Sequence, residues 1–244
     1  MPKIAIIAAL ERELRPLTRT WPKSKFIHDG REFTACLALD AVAICGGVGE
    51  ECGRRAAEAA VARYSPEILI SAGFAGASVA QLQVGDTVFP AVVVDTRDGS
   101  RRETAMRHAV SNRALQAPTV LASYPAIASS ARKRQLRKSY GAHLVDMEGA
   151  SVARAAEAHG LEFVAVKAIS DELDFEIGGL DRLVRDGQMA TGSVVLYFLA
   201  RPWLWPKMVR LARNTRLASE NLCARLRECA LTHTMVPDTQ AGDR

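Results

Sequence analysis

The feature that most constrains the fold is the regular alternation of short apolar runs with amphipathic or alanine-rich segments. Short apolar runs are typical of strands buried on both faces of a sheet, and the longer segments between them have helical periodicity. The pattern predicts strands at residues 3–10, 33–39, 41–44, 68–72, 87–94, 119–122, 144–147 and 163–169. It predicts helices at residues 11–20, 52–63, 130–140 and 149–159. This alternation indicates an α/β fold, a single three-layer αβα domain with a mostly parallel mixed sheet.

Length and composition agree with one such domain. The chain has 244 residues, of which 48% are hydrophobic and 24% charged, and this globular composition excludes intrinsic disorder. The apolar run at 194–200 is far shorter than the roughly 20 residues of a membrane-spanning helix, and the N-terminus lacks signal-peptide anatomy. We therefore expect a cytoplasmic protein. The five cysteines and five histidines form no metal-binding pattern, so neither a metal nor another cofactor is expected.

Acidic residues follow three of the predicted strands and are candidate catalytic groups. Glu13 comes after the first strand, Glu148 after the strand at 144–147, and Asp171 after the last strand. Ligands of open α/β sheets bind at the carboxyl ends of strands, so adjacent strands would bring these acids into one crevice. Chemistry that needs a general acid and a ribose-binding carboxylate would suit such a set. The alternative is that each acid is merely favoured in the first turn of a helix by the helix dipole.

Two glycine clusters lie near predicted strand ends, at residues 46–49 and 73–76. Such clusters can bring backbone N–H groups against a phosphate or a sugar. Neither cluster matches the dinucleotide fingerprint or the P-loop, so both are equally compatible with ordinary turns.

The net charge of +5 is concentrated near the C-terminus, where residues 201–229 contain seven Lys or Arg and two Glu. Apolar residues at helical spacing predict a basic amphipathic helix over 201–230, after a catalytic domain at 1–200 and before a disordered tail at 231–244. This helix either packs on the domain or makes peripheral contact with an anionic membrane, with Trp203 and Trp205 at the interface. Because the charge is confined to one helix, no nucleic-acid partner is expected.

Four motifs together resemble those of the nucleoside phosphorylase and nucleosidase superfamily, in the family's order. They are Ile4-Ala-Ile-Ile-Ala-Ala-Leu-Glu-Arg-Glu13, Ser71-Ala-Gly-Phe-Ala-Gly76 with Val84-Gly-Asp86, Val145-Asp-Met-Glu148 and Ala168-Ile-Ser-Asp171. Within the superfamily the sequence resembles the methylthioadenosine and S-adenosylhomocysteine nucleosidases. Arg201-Pro, Leu211-Ala-Arg213 and the Val-Asp-Met-Glu motif are similar also to the hopanoid-associated phosphorylase family.

The resemblance implies a role for each acid in cleaving a glycosidic bond. Asp171, beside Ser170, matches the acid that protonates the leaving purine, and such an acid is expected to be buried so that it is protonated near neutral pH. Glu148 matches the carboxylate that holds the ribose hydroxyls, with Met147 against the sugar, and its negative charge would favour an oxocarbenium-like transition state. Glu13 matches the residue that positions the attacking water.

The same resemblance places Gly49, Gly73, Phe74 and Ile127 among the substrate-binding residues, but with departures from the family pattern. Phe74 stands where Ser or Thr is common and cannot hydrogen-bond a water or a phosphate. No arginine precedes that motif, although many phosphorylases hold phosphate there with a guanidinium. The backbone N–H groups of Gly47 and Gly49 are left as candidate phosphate donors.

The resemblance implies a nucleosidase that acts on a purine nucleoside, adenine-preferring and 5′-modified, and the departures from the family pattern favour hydrolysis over phosphorolysis. An adenosylated hopanoid precursor is a candidate substrate because of the basic C-terminal helix. The alternatives are a purine nucleoside phosphorylase, with phosphate as co-substrate, and a non-catalytic nucleoside-binding protein of the same fold. The resemblance also implies a homodimer.

Overall fold

The computed structural model of the chain describes residues 2–106, 115, 118–175, 184–185, 188–189 and 205–231. The strands are β1 (Ile4–Ala8), β2 (Lys23–His28), β3 (Arg31–Leu37), β4 (Ala41–Cys45), β5 (Ile68–Ala77), β6 (Thr87–Val88), β7 (Val92–Asp95), β8 (Arg101–Glu103), β9 (Val120–Ser123), β10 (Leu144–Asp146), β11 (Glu162–Asp171), β12 (Val184–Arg185) and β13 (Gln188–Met189). The helices are α1 (Glu11–Thr18), α2 (Glu50–Tyr64), α3 (Ser130–Tyr140), α4 (Gly149–Ala158) and α5 (Trp205–Leu231).

Within the described part of the chain, eleven strands form one mixed sheet. Its order is β2-β3-β4-β1-β5-β10-β9-β7-β8, while β11 pairs with both β5 and β6. Strands β4, β1, β5 and β11 are mutually parallel, as are β10, β9 and β7, and β10 is antiparallel to β5. The predicted α/β domain with a mostly parallel mixed sheet is confirmed.

The two faces of the sheet are buried by different helices. Alternate residues of β1 show this: Ala5 and Ile7 belong to an apolar cluster with α2 and α4, whereas Ile6 and Ala8 belong to a cluster with α1 and α5. This period of two is why strands buried on both faces have continuously apolar sequences. The result is the predicted three layers, with the carboxyl ends of β1 and β11 at the same edge.

Several predicted boundaries are wrong, for local reasons. The predicted strand at 87–94 is split into β6 and β7 around Pro90, which has no N–H to donate to a sheet. The predicted turn at 73–76 is instead part of β5. Part of the predicted excursion at 95–112 pairs with β7 as β8, and residues 107–112 lie outside the described residues.

The basic C-terminal helix α5 has two different halves. Its second half packs against α1 and β11, with Ala218, Leu222 and Leu226 buried, whereas Met208 and Val209 in the first half are exposed. Residues 201–204 and the predicted tail after Leu231 lie outside the described residues. No helix in the described ranges is long and apolar enough to cross a membrane.

Candidate active site

Three carboxylates are brought to one edge of the sheet, around the end of β5. Glu13 lies in the first turn of α1 after β1, and Asp171 is the last residue of β11. Strands β1 and β11 both run parallel to β5 and pair with it. Glu148 follows β10, which pairs with the last two residues of β5. The three acids singled out from the sequence therefore surround one strand end.

Glu13 is buried, and its carboxylate accepts three backbone hydrogen bonds. The N–H groups of Ala9 and Leu10 donate to Oε2, each at 2.9 Å, and that of Phe74 donates to Oε1 at 3.3 Å. Burial raises the pKa of the Glu13 carboxyl, while the backbone donors and the positive charge of Lys167 oppose the rise. The donors fix the carboxylate at the junction of β1 and β5.

Glu148 is held on the other side of the cluster. Its Oε1 accepts a hydrogen bond from the Gly49 N–H at 2.6 Å. Burial, followed by the negative charge of Asp146, raises the pKa of Glu148 to about 8, although Gly49 and Lys167 oppose the rise. The direction of this shift favours the protonated carboxyl in the free protein and so opposes the anionic form that the resemblance predicts for Glu148.

The free energy of unfolding should depend on pH through Glu148. Its ordinary pKa is 4.5 and its folded pKa is about 8, so between these values the folded chain keeps a proton that the unfolded chain releases. The stabilisation is complete below the lower value and is lost as the pH rises to the upper one, at up to about 1.4 kcal/mol per pH unit. In Glu148→Gln this part of the decline should disappear from urea unfolding measured between pH 5 and 8. If the free energy of unfolding falls equally with pH in the wild type and in Glu148→Gln, Glu148 is not the group that causes the decline.

Asp171 forms an ion pair at the end of β11. Its Oδ1 accepts a hydrogen bond from Ser170 Oγ at 2.8 Å, and its Oδ2 contacts the Nζ of Lys133, a buried residue of α3. The same ammonium group donates to the Glu172 carbonyl oxygen at 2.8 Å. The Asp171 side chain is 25% exposed and paired with Lys133, whereas the resemblance predicted an acid buried enough to be protonated near neutral pH.

A second buried lysine, Lys167, forms an ion pair with Asp146, the acidic residue that precedes Met147. Lys167 Nζ lies 2.8 Å from Asp146 Oδ2 and donates to Ser71 Oγ at 2.9 Å. Asp146 also accepts hydrogen bonds from Ser123 Oγ at 2.6 Å and from the Gly149 N–H at 2.8 Å. Asp146 therefore anchors the first turn of α4 rather than facing a ligand. The ammonium group also acts electrostatically on Glu13 and on the half-buried Glu148.

The remaining predicted binding residues lie around this cluster. Met147 lines a shallow open depression between β7, β9 and α4, together with Ser123 and Ser151. At Gly73 a side-chain carbon would lie 3.4 Å from the Glu13 carboxylate oxygens, an ordinary contact distance, so the acid lies directly against this glycine. Phe74 is half-buried, and its backbone N–H is the group that contacts Glu13. Ile127, in the loop before α3, is 43% exposed.

The backbone groups that were candidates for phosphate binding are already hydrogen-bonded. The Gly47 N–H donates to the Ala9 carbonyl oxygen at 2.9 Å, and the Gly49 N–H donates to Glu148. The cluster at 73–76 forms no loop, since it lies within β5.

Reasoning from the sequence missed the two buried lysines. Lys167 carried a usable signal, because a charge inside the apolar run at 163–169 needs a buried partner. Lys133 carried none, since it is one of five basic residues in α3 and only the structure shows that it faces inward.

Comparison with known proteins shows which sequence family this chain matches. The sequence profile of the phosphorylase superfamily matches residues 3–129 and 119–191. A 5′-methylthioadenosine/S-adenosylhomocysteine nucleosidase from Shewanella halifaxensis is 26% identical over 201 residues, 69% of this chain and 86% of that protein.

Solved structures share the fold. The 5′-methylthioadenosine/S-adenosylhomocysteine nucleosidase from Neisseria meningitidis, in complex with methylthio-immucillin-A, matches with a TM-score of 0.68 at 17% identity, over 95% of this chain and 100% of that chain. The futalosine hydrolase of Helicobacter pylori matches with a TM-score of 0.65 at 19% identity, over 93% and 98%.

Proposed function

Because the chain belongs to the phosphorylase superfamily, we propose that it hydrolyses the N-glycosidic bond of a purine nucleoside. It is an enzyme of the nucleosidase or nucleoside phosphorylase type, as its nucleosidase relative and the superfamily match indicate. The observation that carries the proposal is the set of three carboxylates around the end of β5, Glu13, Glu148 and Asp171, each fixed by hydrogen bonds or an ion pair.

The chemistry assigns a different task to each acid. The bond between C1′ of the ribose and the purine nitrogen breaks, its electron pair moves into the base, and Asp171 in its protonated form delivers a proton to N7. Glu148 holds the ribose hydroxyls, and positive charge developing at C1′ favours its ionised form. Glu13 orients the attacking water and takes its proton as the new C1′–O bond forms.

Hydrolysis is favoured over phosphorolysis because the donors nearest the acids are already occupied. Lys133 and Lys167 each face a carboxylate, and the Gly49 N–H donates to Glu148. A phosphate would have to displace one of these contacts, whereas a water needs only the Glu13 carboxylate and space beside it. The absence of a side-chain donor at Phe74 supports the same conclusion.

An adenine nucleoside with an apolar 5′ substituent, such as an adenosylated hopanoid precursor, is the substrate that we favour. The nucleosidase relatives are named for 5′-substituted adenosines. In α5, Arg210 forms an ion pair with Glu172, next to Asp171, and lies over the Phe175 ring. This contact puts the exposed, basic first half of α5 beside the catalytic edge, where it could receive a substrate from an anionic membrane surface. No cofactor is needed for this chemistry, and the homodimer stays a prediction from the resemblance.

A substrate panel tests the proposal. Free base should be released, and detected chromatographically, from 5′-methylthioadenosine and from an adenosine with a long apolar 5′ chain, without phosphate and faster than from inosine. Anionic vesicles should increase the rate for the long-chain substrate only, and less so in Arg213→Gln/Arg216→Gln. Release that requires phosphate would make the protein a phosphorylase, and no release from any member would favour a non-catalytic nucleoside-binding protein.

A further inference from the structure

We propose that Lys133 is a positioning residue for protonation of the leaving purine. Its ammonium group holds the Asp171 carboxylate in place and supplies the proton that Asp171 passes to the base. The inference rests on the proposed function, since it deepens the role of Asp171. It concerns a residue of α3 that the motifs carrying the family resemblance do not include.

The burial of Lys133 is the first observation. Along α3 the neighbouring Arg134, Arg137 and Lys138 are exposed, whereas Lys133 is only 1% exposed. A buried ammonium group is destabilising unless it is paired, and an apolar side chain of similar volume often replaces a buried ion pair without loss of stability. Packing alone therefore does not favour a lysine at this position.

The geometry of β5 is the second observation. At Gly76 a side-chain carbon would lie 2.7 Å from Asp171 Oδ2 and 2.8 Å from Lys133 Cε, closer than such atoms can approach. A side chain at this position would force the Asp171–Lys133 pair to shift, whereas glycine leaves room for it. Three elements thus meet at this contact: α3 supplies the cation, β11 the carboxylate and β5 the space.

The third observation is that the pair has defined hydrogen bonds. Lys133 Nζ reaches Asp171 Oδ2 and the Glu172 carbonyl oxygen, while Ser170 Oγ donates to the other oxygen of the carboxylate. The plane of the carboxylate is fixed by donors on both oxygens. An acid held in one orientation can meet N7 of a bound purine without first rotating.

The proton balance follows from this arrangement. As the C1′–purine bond breaks, Lys133 passes one of its protons to the Asp171 carboxylate, and Asp171 gives a proton to N7. The pair is left as an amine and a carboxylate. The attacking water gives its hydroxyl to C1′ and its proton to Glu13. After the products leave, Glu13 releases its proton and the Lys133 amine regains one from water, which restores the starting state.

The test separates purine protonation from folding. Lys133→Met is compared with Lys138→Met, which changes an exposed lysine of the same helix. Two substrates are used: 5′-methylthioadenosine, whose base must be protonated, and 4-nitrophenyl 5-methylthioriboside, whose nitrophenolate leaves without a proton. Lys133→Met should lower kcat/KM for the nucleoside by about 100-fold or more and for the nitrophenyl riboside by less than about threefold. Lys138→Met should change neither.

A second variant covers the case in which Lys133→Met does not fold. In Lys133→Ala, added methylamine should restore part of the nucleoside cleavage and leave nitrophenyl riboside cleavage unchanged. Equal losses for both substrates, no loss for the nucleoside, or no restoration by the amine would overturn the inference while leaving the proposed function intact. Wild-type protein that cleaves neither substrate would contradict the proposed function itself.

Discussion

Asp171→Asn should lower kcat/KM for purine nucleoside cleavage by about 10²- to 10⁴-fold, the range attributed to a general acid. The amide has nearly the shape of the carboxyl group and can still accept a hydrogen bond from Lys133, but it cannot give N7 a proton. Steady-state release of the free base, followed chromatographically, measures the loss.

The matched control for this variant is Asp174→Asn. Asp174 is an exposed acid three residues further along, in a surface ion pair with Arg134, and such pairs contribute little. Asp174→Asn should therefore leave kcat/KM within about twofold of the wild type. If Asp171→Asn is folded, as judged by circular dichroism, and retains most of the wild-type rate, Asp171 is not the proton donor.

Lys167→Met should lower the free energy of unfolding by about 3–5 kcal/mol, because removing one partner of a buried ion pair leaves the other charge uncompensated. Here the remaining charge is Asp146, whose side chain is fully buried beneath α4. Small domains have only about 5–15 kcal/mol of stability, so this one substitution removes a large part of it. Urea unfolding at pH 7 is the measurement.

Two further variants test whether losing the Lys167–Asp146 ion pair causes the loss of stability. Lys25→Met removes an exposed lysine that pairs with Glu32 and should cost at most about 1 kcal/mol. Adding Asp146→Asn to Lys167→Met removes the uncompensated charge and should recover stability relative to the single variant. A double variant less stable than Lys167→Met would contradict the explanation.

Some elements were predicted well because residues at their ends mark where they begin and stop. Helix α3 was predicted with its observed bounds because Ser129 accepts the Arg132 N–H at its start and Gly141 adopts a left-handed conformation, φ +72°, at its end. Strand β2 was missed, since Lys23–His28 alternates exposed and half-buried residues at the sheet edge and has no apolar run. Pattern alone detects buried strands more readily than edge strands.

The glycine cluster at 73–76 shows a different limit. Glycines usually indicate turns, but here they permit close approach of side chains to a central strand: Glu13 lies against Gly73, and the ion pair of Asp171 lies against Gly76. No local pattern distinguishes a glycine that ends a strand from one that makes room beside it.

For the candidate site, the positions of the three acids could be inferred, but their environments could not. Glu148 was expected to be anionic, and Asp171 to be buried and protonated near neutral pH. The structure differs because Asp146 lies near Glu148 and because α3 brings Lys133 to Asp171. The contact of Lys133 with Asp171 joins residues far apart in the sequence, which no local spacing encodes. Asp146 is only two residues from Glu148, but its effect depends on how the fold removes both carboxyl groups from water, and the motif does not show this.

The most direct test of the proposed hydrolysis is the origin of the oxygen on C1 of the released sugar. Cleavage of 5′-methylthioadenosine in ¹⁸O-labelled water, in buffer that also contains phosphate, should yield adenine and a free sugar carrying one ¹⁸O atom, detected by mass spectrometry. A sugar 1-phosphate without the label would contradict hydrolysis and identify phosphate as the nucleophile.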